Sequence, residues 1–268
     1  MTSDGAELHI QLARDVLFMA PAGFVTDLDG TLSQIVDEPA AARPIADVPE
    51  LLRVLAHRLA VVAVVTGRSA ADARRILGPV GRQLLIVGNH GLEWLAPGAE
   101  EPQAPVHAEG LRAAVRAAMA AVSPADGVVI DDKGLSATVH YRAAPDPIAA
   151  RRMLLAAFRI LPPGIELREG RRSVELRPAG IGDKGSAVAR IAEEHALRGL
   201  LVAGDDVTDI DMFHAADALR AQGVSTLTLA VAGGVEVSRA VSDAADVTVP
   251  SPEALVRILQ GVTASLPG

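Results

Sequence analysis

The segment Phe24-Val25-Thr26-Asp27-Leu28-Asp29-Gly30-Thr31-Leu32 ends an apolar run in two aspartates two residues apart and then turns at a glycine. In open α/β sheets ligands bind beyond the carboxyl ends of the strands, which is where this pair would stand. Two carboxylates so close repel each other and resist joint desolvation. A bound cation relieves the conflict. Mg²⁺ takes hard oxygen ligands and keeps several waters, so Asp27, a nearby backbone carbonyl and one further aspartate would suffice. Asp27 could then attack phosphorus and form an aspartyl phosphate, while Asp29 protonates the leaving alcohol and later activates water. Alone, Asp-x-Asp-Gly is an ordinary turn or helix cap, so the reading depends on partners elsewhere in the chain.

Three other segments offer such partners. Val64-Val65-Thr66-Gly67-Arg68 ends a second apolar run in a hydroxyl, followed by the first amides of a helix, where a phosphoryl group could be held. Lys184, in Gly182-Asp183-Lys184-Gly185, supplies a point charge for phosphoryl oxygens. It sits in a first helical turn, where a cation opposes the helix dipole, so a purely solvated role is the less natural one. Ala203-Gly204-Asp205-Asp206-Val207-Thr208-Asp209 ends another run in carboxylates, with Asp205 the expected metal ligand and Asp206 and Asp209 its support. Capping of the following helix explains Asp206 and Asp209 as well as contact with Mg²⁺ through water does. Thr66 taken alone reads as a strand-to-helix linker, Arg68 reads equally as a surface ion pair or as phosphate or structural support at the site, and His90, a satisfied buried imidazole on its own, reads equally as a substrate contact once its flanking glycines are counted.

The elements that must position these groups follow from periodicity. Short β-branched runs at Gly23 to Thr26, Val61 to Val65, Leu84 to Val87, Leu200 to Ala203 and Leu227 to Val231 read as buried strands. Between them lie helical Ala/Leu/Arg segments, with start signals at Ser69 followed by Asp72, at Asp183, and at Ser251 before Pro252. Alternating strand and helix predicts an α/β fold built on a doubly wound parallel sheet. From about Pro105 to Ala179 the order changes to helix, two strands, helix, two strands, which predicts a separate antiparallel α+β unit. Its pieces are Leu111 to Val122, Val128 to Asp131, Leu135 to Tyr141, Pro147 to Leu161, Ile165 to Arg168 and Ser173 to Arg177, with tight turns at 132–134 and 170–172. The expected division is a core of 1–104 and 180–268 with an insertion of 105–179.

Composition narrows the function classes. Half of the 268 residues are apolar, enough for a substantial core, and there is no cysteine, which removes disulfides, thiolate metal sites and a cysteine nucleophile. The net charge of −8, with scattered Lys and Arg, argues against nucleic acid as a partner. Asp4, Glu7 and Asp15 interrupt the N-terminal stretch, so it lacks the form of a signal peptide, and no run is long enough to cross a membrane. A cytoplasmic monomer acting on a small molecule is the expectation.

The four acidic, hydroxyl and lysine segments, in this order, resemble the haloacid dehalogenase superfamily of phosphotransferases over nearly the whole chain. That resemblance implies a Rossmann-like hydrolase core with an inserted α/β cap that closes over the site and selects the substrate. It implies Asp27 as nucleophile, Asp29 as acid/base, Thr66 as phosphate binder, Lys184 as stabiliser of the phosphoryl group, and Mg²⁺ held by Asp27, Asp29, Asp205 and Asp206. Thr66-Gly67-Arg68, Gly88-Asn89-His90-Gly91-Leu92-Glu93, Lys133 with Ser136 and His140-Tyr141-Arg142, and Val174-Glu175-Leu176-Arg177-Pro178 before Asp183-Lys184-Gly185 are similar to the trehalose-6-phosphate phosphatase branch. The branch resemblance implies a sugar phosphate as partner, with Gly67, Arg68, Asn89, His90, Asp131, Lys133, Arg142 and Glu175 binding it. Asp131, Lys133 and Glu175 would face the sugar from the cap. Asp131 stands where the branch usually has glutamate, and Ile210 replaces the glutamate of its Gly-Asp-Asp-x-Thr-Asp-Glu. Other sugar phosphates, a broad set of small phosphates, and a silent sugar-phosphate binder remain alternatives.

Overall fold

Alternate residues of the apolar runs face opposite ways, and that alternation builds a sheet with a core on each side. In the computed structural model, which describes residues 3–36, 41–122, 125–170, 172–180, 182–232 and 239–266, the chain divides into two compact units, 1–103 with 182–268 and 104–181. With elements numbered in chain order, the larger unit contains β1 (Ala22–Thr26), β2 (Val61–Val65), β3 (Leu85–Gly88), β4 (Glu93–Leu95), β9 (Gly199–Gly204), β10 (Ser225–Val231) and β11 (Val247–Val249). They lie in the order β11-β10-β9-β1-β2-β3-β4. Phe24, Val62, Val64 and Ile86 pack on one face against α1 (Ser3–Leu17), α2 (Val48–Arg58), α3 (Ala70–Leu77) and α9 (Pro252–Thr263). Val25, Ala63, Val65 and Val87 pack on the other against α6 (Lys184–Glu194), α7 (Ile210–Ala221) and the short α8 (Arg239–Asp243).

The three helix starts expected from sequence form as capped termini. Ser69 Oγ accepts from Asp72 N at 3.2 Å and Ser251 Oγ accepts from Ala254 N at 3.3 Å. Asp183 accepts from Ser186 N at 2.6 Å while Ser186 Oγ accepts from Asp183 N at 3.1 Å, a reciprocal capping box. Each such cap stabilises its helix by about 1 kcal/mol, and the last one fixes the direction in which Lys184 leaves the chain.

The sheet departs from an all-parallel one at one edge. Asn89, His90 and Gly91 take consecutive positive φ values of 49°, 55° and 112°, which reverses the chain so that β4 runs antiparallel to β3, with Gly88 opposite Glu93. The short strands β4 and β11 and helix α1 were not anticipated. Among the described residues no helix is long and apolar enough to cross a membrane.

The smaller unit is a four-stranded antiparallel sheet in the order β5-β6-β8-β7, from β5 (Val129–Asp132), β6 (Ala137–His140), β7 (Ile165–Gly170) and β8 (Ser173–Pro178). Val139, Val174 and Leu176 point to a core shared with α4 (Ala108–Met119) and α5 (Pro147–Ala157). Strand alternation therefore leaves Thr138 and Glu175 on the opposite, polar face. Helix α4 starts before Leu111 and α5 ends before Leu161. Arg171 of the expected 170–172 turn and Ile181 at the unit boundary lie outside the described residues.

Candidate active site

Asp27 follows directly on β1, and its amide donates to Ala203 O at 2.9 Å, which locks the ends of β1 and β9 side by side. Lys184, the first residue of α6, is buried and its Nζ lies 2.6 Å from both Asp27 Oδ1 and Asp209 Oδ1. Asp209 turns its other oxygen to the amides of Asp205, 2.8 Å, and Asp206, 3.0 Å. Thr31 Oγ1 donates to Asp205 Oδ1 at 2.8 Å. Gly30 has φ +87°, and a side chain there would collide with the Asp205 carboxylate, so the turn after Asp29 requires glycine both for its conformation and for room. Carboxylate oxygens of Asp27, Asp205 and Asp209 come within 4.8 Å of one another.

This is more negative charge than one lysine neutralises. Burial pushes the Asp27 carboxyl up to about 7, with Asp209 and Asp29 adding to the shift and Lys184 opposing it. Burial, then the charges of Asp27 and Asp209, push Asp205 up to about 9. Burial works against the Lys184 ammonium, but its two carboxylate partners outweigh it and hold the lysine firmly protonated. The donor set is all hard oxygen and carries more negative charge than Lys184 balances, which fits a divalent cation such as Mg²⁺. Asp27 and Asp205 are the carboxylates that would hold it, because both oxygens of Asp209 are taken by Lys184 and the two amides.

A pH dependence follows. Both carboxyls keep their protons more tightly folded than unfolded, so above the ordinary 3.8 the folded chain binds more protons, and stability falls as pH rises toward about 9. Thermal melts of the metal-free protein should show Tm decreasing from weakly acidic to weakly alkaline pH, Mg²⁺ restoring most at the upper end, and Asp205→Asn flattening both trends. A Tm that rises over that range without metal would contradict the electrostatic picture.

Two expected metal residues lie outside this cluster. Asp29 is gripped by Arg68, whose Nε and Nη2 donate to its two oxygens at 2.6 and 2.9 Å, while Nη1 reaches Asp72 at 2.7 Å. Asp206 Oδ1 accepts from Val207 N at 2.7 Å and caps the turn that leads into α7. Asp209, a supporting residue by sequence, is instead the hub that joins Lys184 to the Asp205 loop. Ile210 packs against the apolar cluster containing Met212 and Phe213, so its side chain adds no carboxylate to this group.

The loop after β2 is also differently arranged from the expectation. Thr66 is buried and its Oγ1 accepts from Arg68 N at 3.2 Å. The Ala70 amide donates to Glu93 at 2.7 Å and the Asp72 amide to Ser69, so these two of the first amides of α3 serve the protein itself. Asn89 and His90 are only 1% and 9% exposed. Their amides donate to Arg68 O at 2.7 Å and Thr66 O at 3.0 Å, and the His90 ring lies against Gly67, where a Cβ would stand 2.6 Å from Nε2. In this structure these two residues brace the loop. The part played by the buried Glu93 is not visible in the sequence, since a glutamate on a strand carries no local signal of its long-range partner.

In the smaller unit, Asp131, Thr138, Glu175 and Arg168 stand opposite one another across the four strands. Lys133 Nζ donates to Thr138 Oγ1 at 2.9 Å and lies 3.8 Å from Glu175 Oε1. Arg142 Nη2 meets His140 Nδ1 at 3.3 Å. The cap residues expected to face a sugar thus share one polar group, with Thr138 an unforeseen member.

The sequence model of the Trehalose-phosphatase family matches residues 25–248. An uncharacterized glycosyl hydrolase of Mycobacterium tuberculosis is 37% identical over 233 residues, 82% of this chain, but the match spans only 17% of that much longer protein. A probable trehalose-phosphate phosphatase of Sinorhizobium fredii is 32% identical over 246 residues, covering 90% of this chain and 85% of the relative. The C-terminal domain of Candida albicans trehalose-6-phosphate phosphatase shares the fold with a TM-score of 0.73 at 21% identity, over 97% of this chain and 96% of that domain. Together with the family match across both units and every segment of the acidic cluster, this makes the chain a member of the trehalose-phosphatase family.

Proposed function

We propose that the protein hydrolyses trehalose 6-phosphate to trehalose and phosphate, with Mg²⁺ as cofactor and Asp27 as nucleophile. The observation that carries the reading is the convergence of Asp27, Asp205, Asp209 and Lys184 at the ends of β1 and β9 and the start of α6. Mg²⁺, held by Asp27 and Asp205, would supply the positive charge that lets an anionic nucleophile meet an anionic phosphoryl group. Asp27 attacks phosphorus, the bond from phosphorus to the sugar oxygen breaks, and Asp29 gives that oxygen its proton. Asp29 then takes a proton from water, which attacks the aspartyl phosphate and returns Asp27 as free carboxylate. Arg68 donates once to each oxygen of Asp29, which leaves each a further lone pair, so Asp29 can carry a proton while the guanidinium holds it. Lys184 fixes Asp27 and offers its charge to the phosphoryl oxygens, and Thr66 binds the phosphate through its hydroxyl.

Recognition of the sugar falls to Lys133, Asp131 and Glu175, whose charged groups suit a disaccharide that needs hydrogen-bond partners for its hydroxyls. The test is a panel of phosphate esters with Mg²⁺. Trehalose 6-phosphate should exceed sucrose phosphate, glucose 6-phosphate and small aryl phosphates in kcat/KM. Lys133→Ala should raise KM for trehalose 6-phosphate by about tenfold to a hundredfold, the worth of a charged hydrogen bond, and leave an aryl phosphate unaffected. A flat panel would assign the chain to a generalist phosphatase instead.

A further inference from the structure

Glu93 is a charged side chain only 7% exposed, and the reaction above makes no use of it. It sits on β4 opposite Gly88, a position where any side chain would collide with the backbone at Ala70. The end of β3 therefore abuts the start of α3, and the Glu93 carboxylate reaches across to accept from Ala70 N at 2.7 Å. A negative charge at this end of a helix is also favoured by its dipole.

Three bonds stitch the reversed turn to the loop after β2: His90 N to Thr66 O, Asn89 N to Arg68 O, and Ala70 N to Glu93. They engage alternate residues 66, 68 and 70. The first two are backbone bonds, whereas the third depends on one side chain. The position of α3 sets Asp72, which holds Arg68, which in turn grips Asp29. We propose that Glu93 is a positioning residue for phosphoryl transfer, which pins α3 so that Thr66, Arg68 and Asp29 keep their places. This rests on the reading of that loop as part of a phosphatase site.

Glu93→Gln keeps an oxygen that can accept from Ala70 N, Glu93→Ala removes it, and Glu93→Asp withdraws it by one methylene. In the full chain with Mg²⁺ and trehalose 6-phosphate, Ala and Asp should lower kcat by about tenfold to a hundredfold, as small displacements in a reacting constellation do, with KM changed about threefold or less and Gln near wild type. Amide hydrogen exchange over 66–72 should rise in the Ala and Asp proteins but not in Gln, a readout that does not depend on turnover. If wild type releases no phosphate from any ester while that exchange pattern holds, the functional reading falls and the positioning of the loop stands. A folded Glu93→Ala or Glu93→Asp protein with wild-type kcat and exchange, or a Glu93→Gln protein as impaired as Glu93→Ala, overturns the inference. Should the Ala variant not fold, the Asp and Gln pair decides by the same criteria.

Discussion

Asp27→Asn should abolish phosphate release and leave the protein folded. The substitution keeps the shape of the side chain and removes the oxygen nucleophile, a loss of roughly 10⁴- to 10⁶-fold in kcat when one member of a catalytic unit is deleted. Stability should move the other way. Burial already pushes the Asp27 carboxyl up to about 7, so a neutral amide relieves repulsion with Asp205 and Asp209, and Tm without metal at alkaline pH should hold or increase. Phosphate assays and melts on the same preparation measure both. Turnover within about tenfold of wild type would remove Asp27 from the nucleophile's role, since loss of a reacting group costs far more than that.

Lys184→Met should damage both activity and stability. Its ammonium stands between Asp27 and Asp209, with side-chain exposures of 4%, 7% and 0%. Removing one member of a buried ion group leaves uncompensated charge and typically costs about 3–5 kcal/mol. Removing a preorganised positive group from the reacting phosphoryl oxygens costs about 10²- to 10³-fold in kcat. Adding Asp209→Asn to Lys184→Met should recover part of the stability, because the two share one network, and none of the activity. Denaturant melts and steady-state rates follow the two effects separately. A Lys184→Met protein as stable as wild type would mean that the three groups are not coupled as their 2.6 Å contacts imply.

Strand-ending motifs were legible because their signals are local. Buried β-branched runs stop at Asp27, Thr66 and Gly204, and Ser69, Asp183 and Ser251 carry cap chemistry within three residues of the amides they serve. The polar row of the smaller unit was legible in part, since Lys133 and Glu175 come from the expected hairpins. What escaped was set by contacts between distant segments. Arg68 and Asp29 are 39 residues apart, and nothing in either neighbourhood announces that the guanidinium takes both carboxylate oxygens. The same holds for Glu93 with Ala70, and for Asp209, whose choice of Lys184 and two amides over a metal depends on where α6 begins. Strands β4 and β11 each span three residues, too few for a period to show.

Glycines bring the catalytic segments together at backbone distance: Gly30 leaves room for Asp205, Gly204 for Asp209, and Gly185 for the chain at Asp211. A side chain at any of these points would collide with Asp205, Asp209 or the backbone at Asp211, so these close approaches require glycine. The inserted unit has its own core, around Val139, Leu154 and Leu176, and contributes none of these three glycines. On the proposed reading, in which Asp131, Lys133 and Glu175 meet the sugar, divergence toward new sugars would accumulate in residues 104–181.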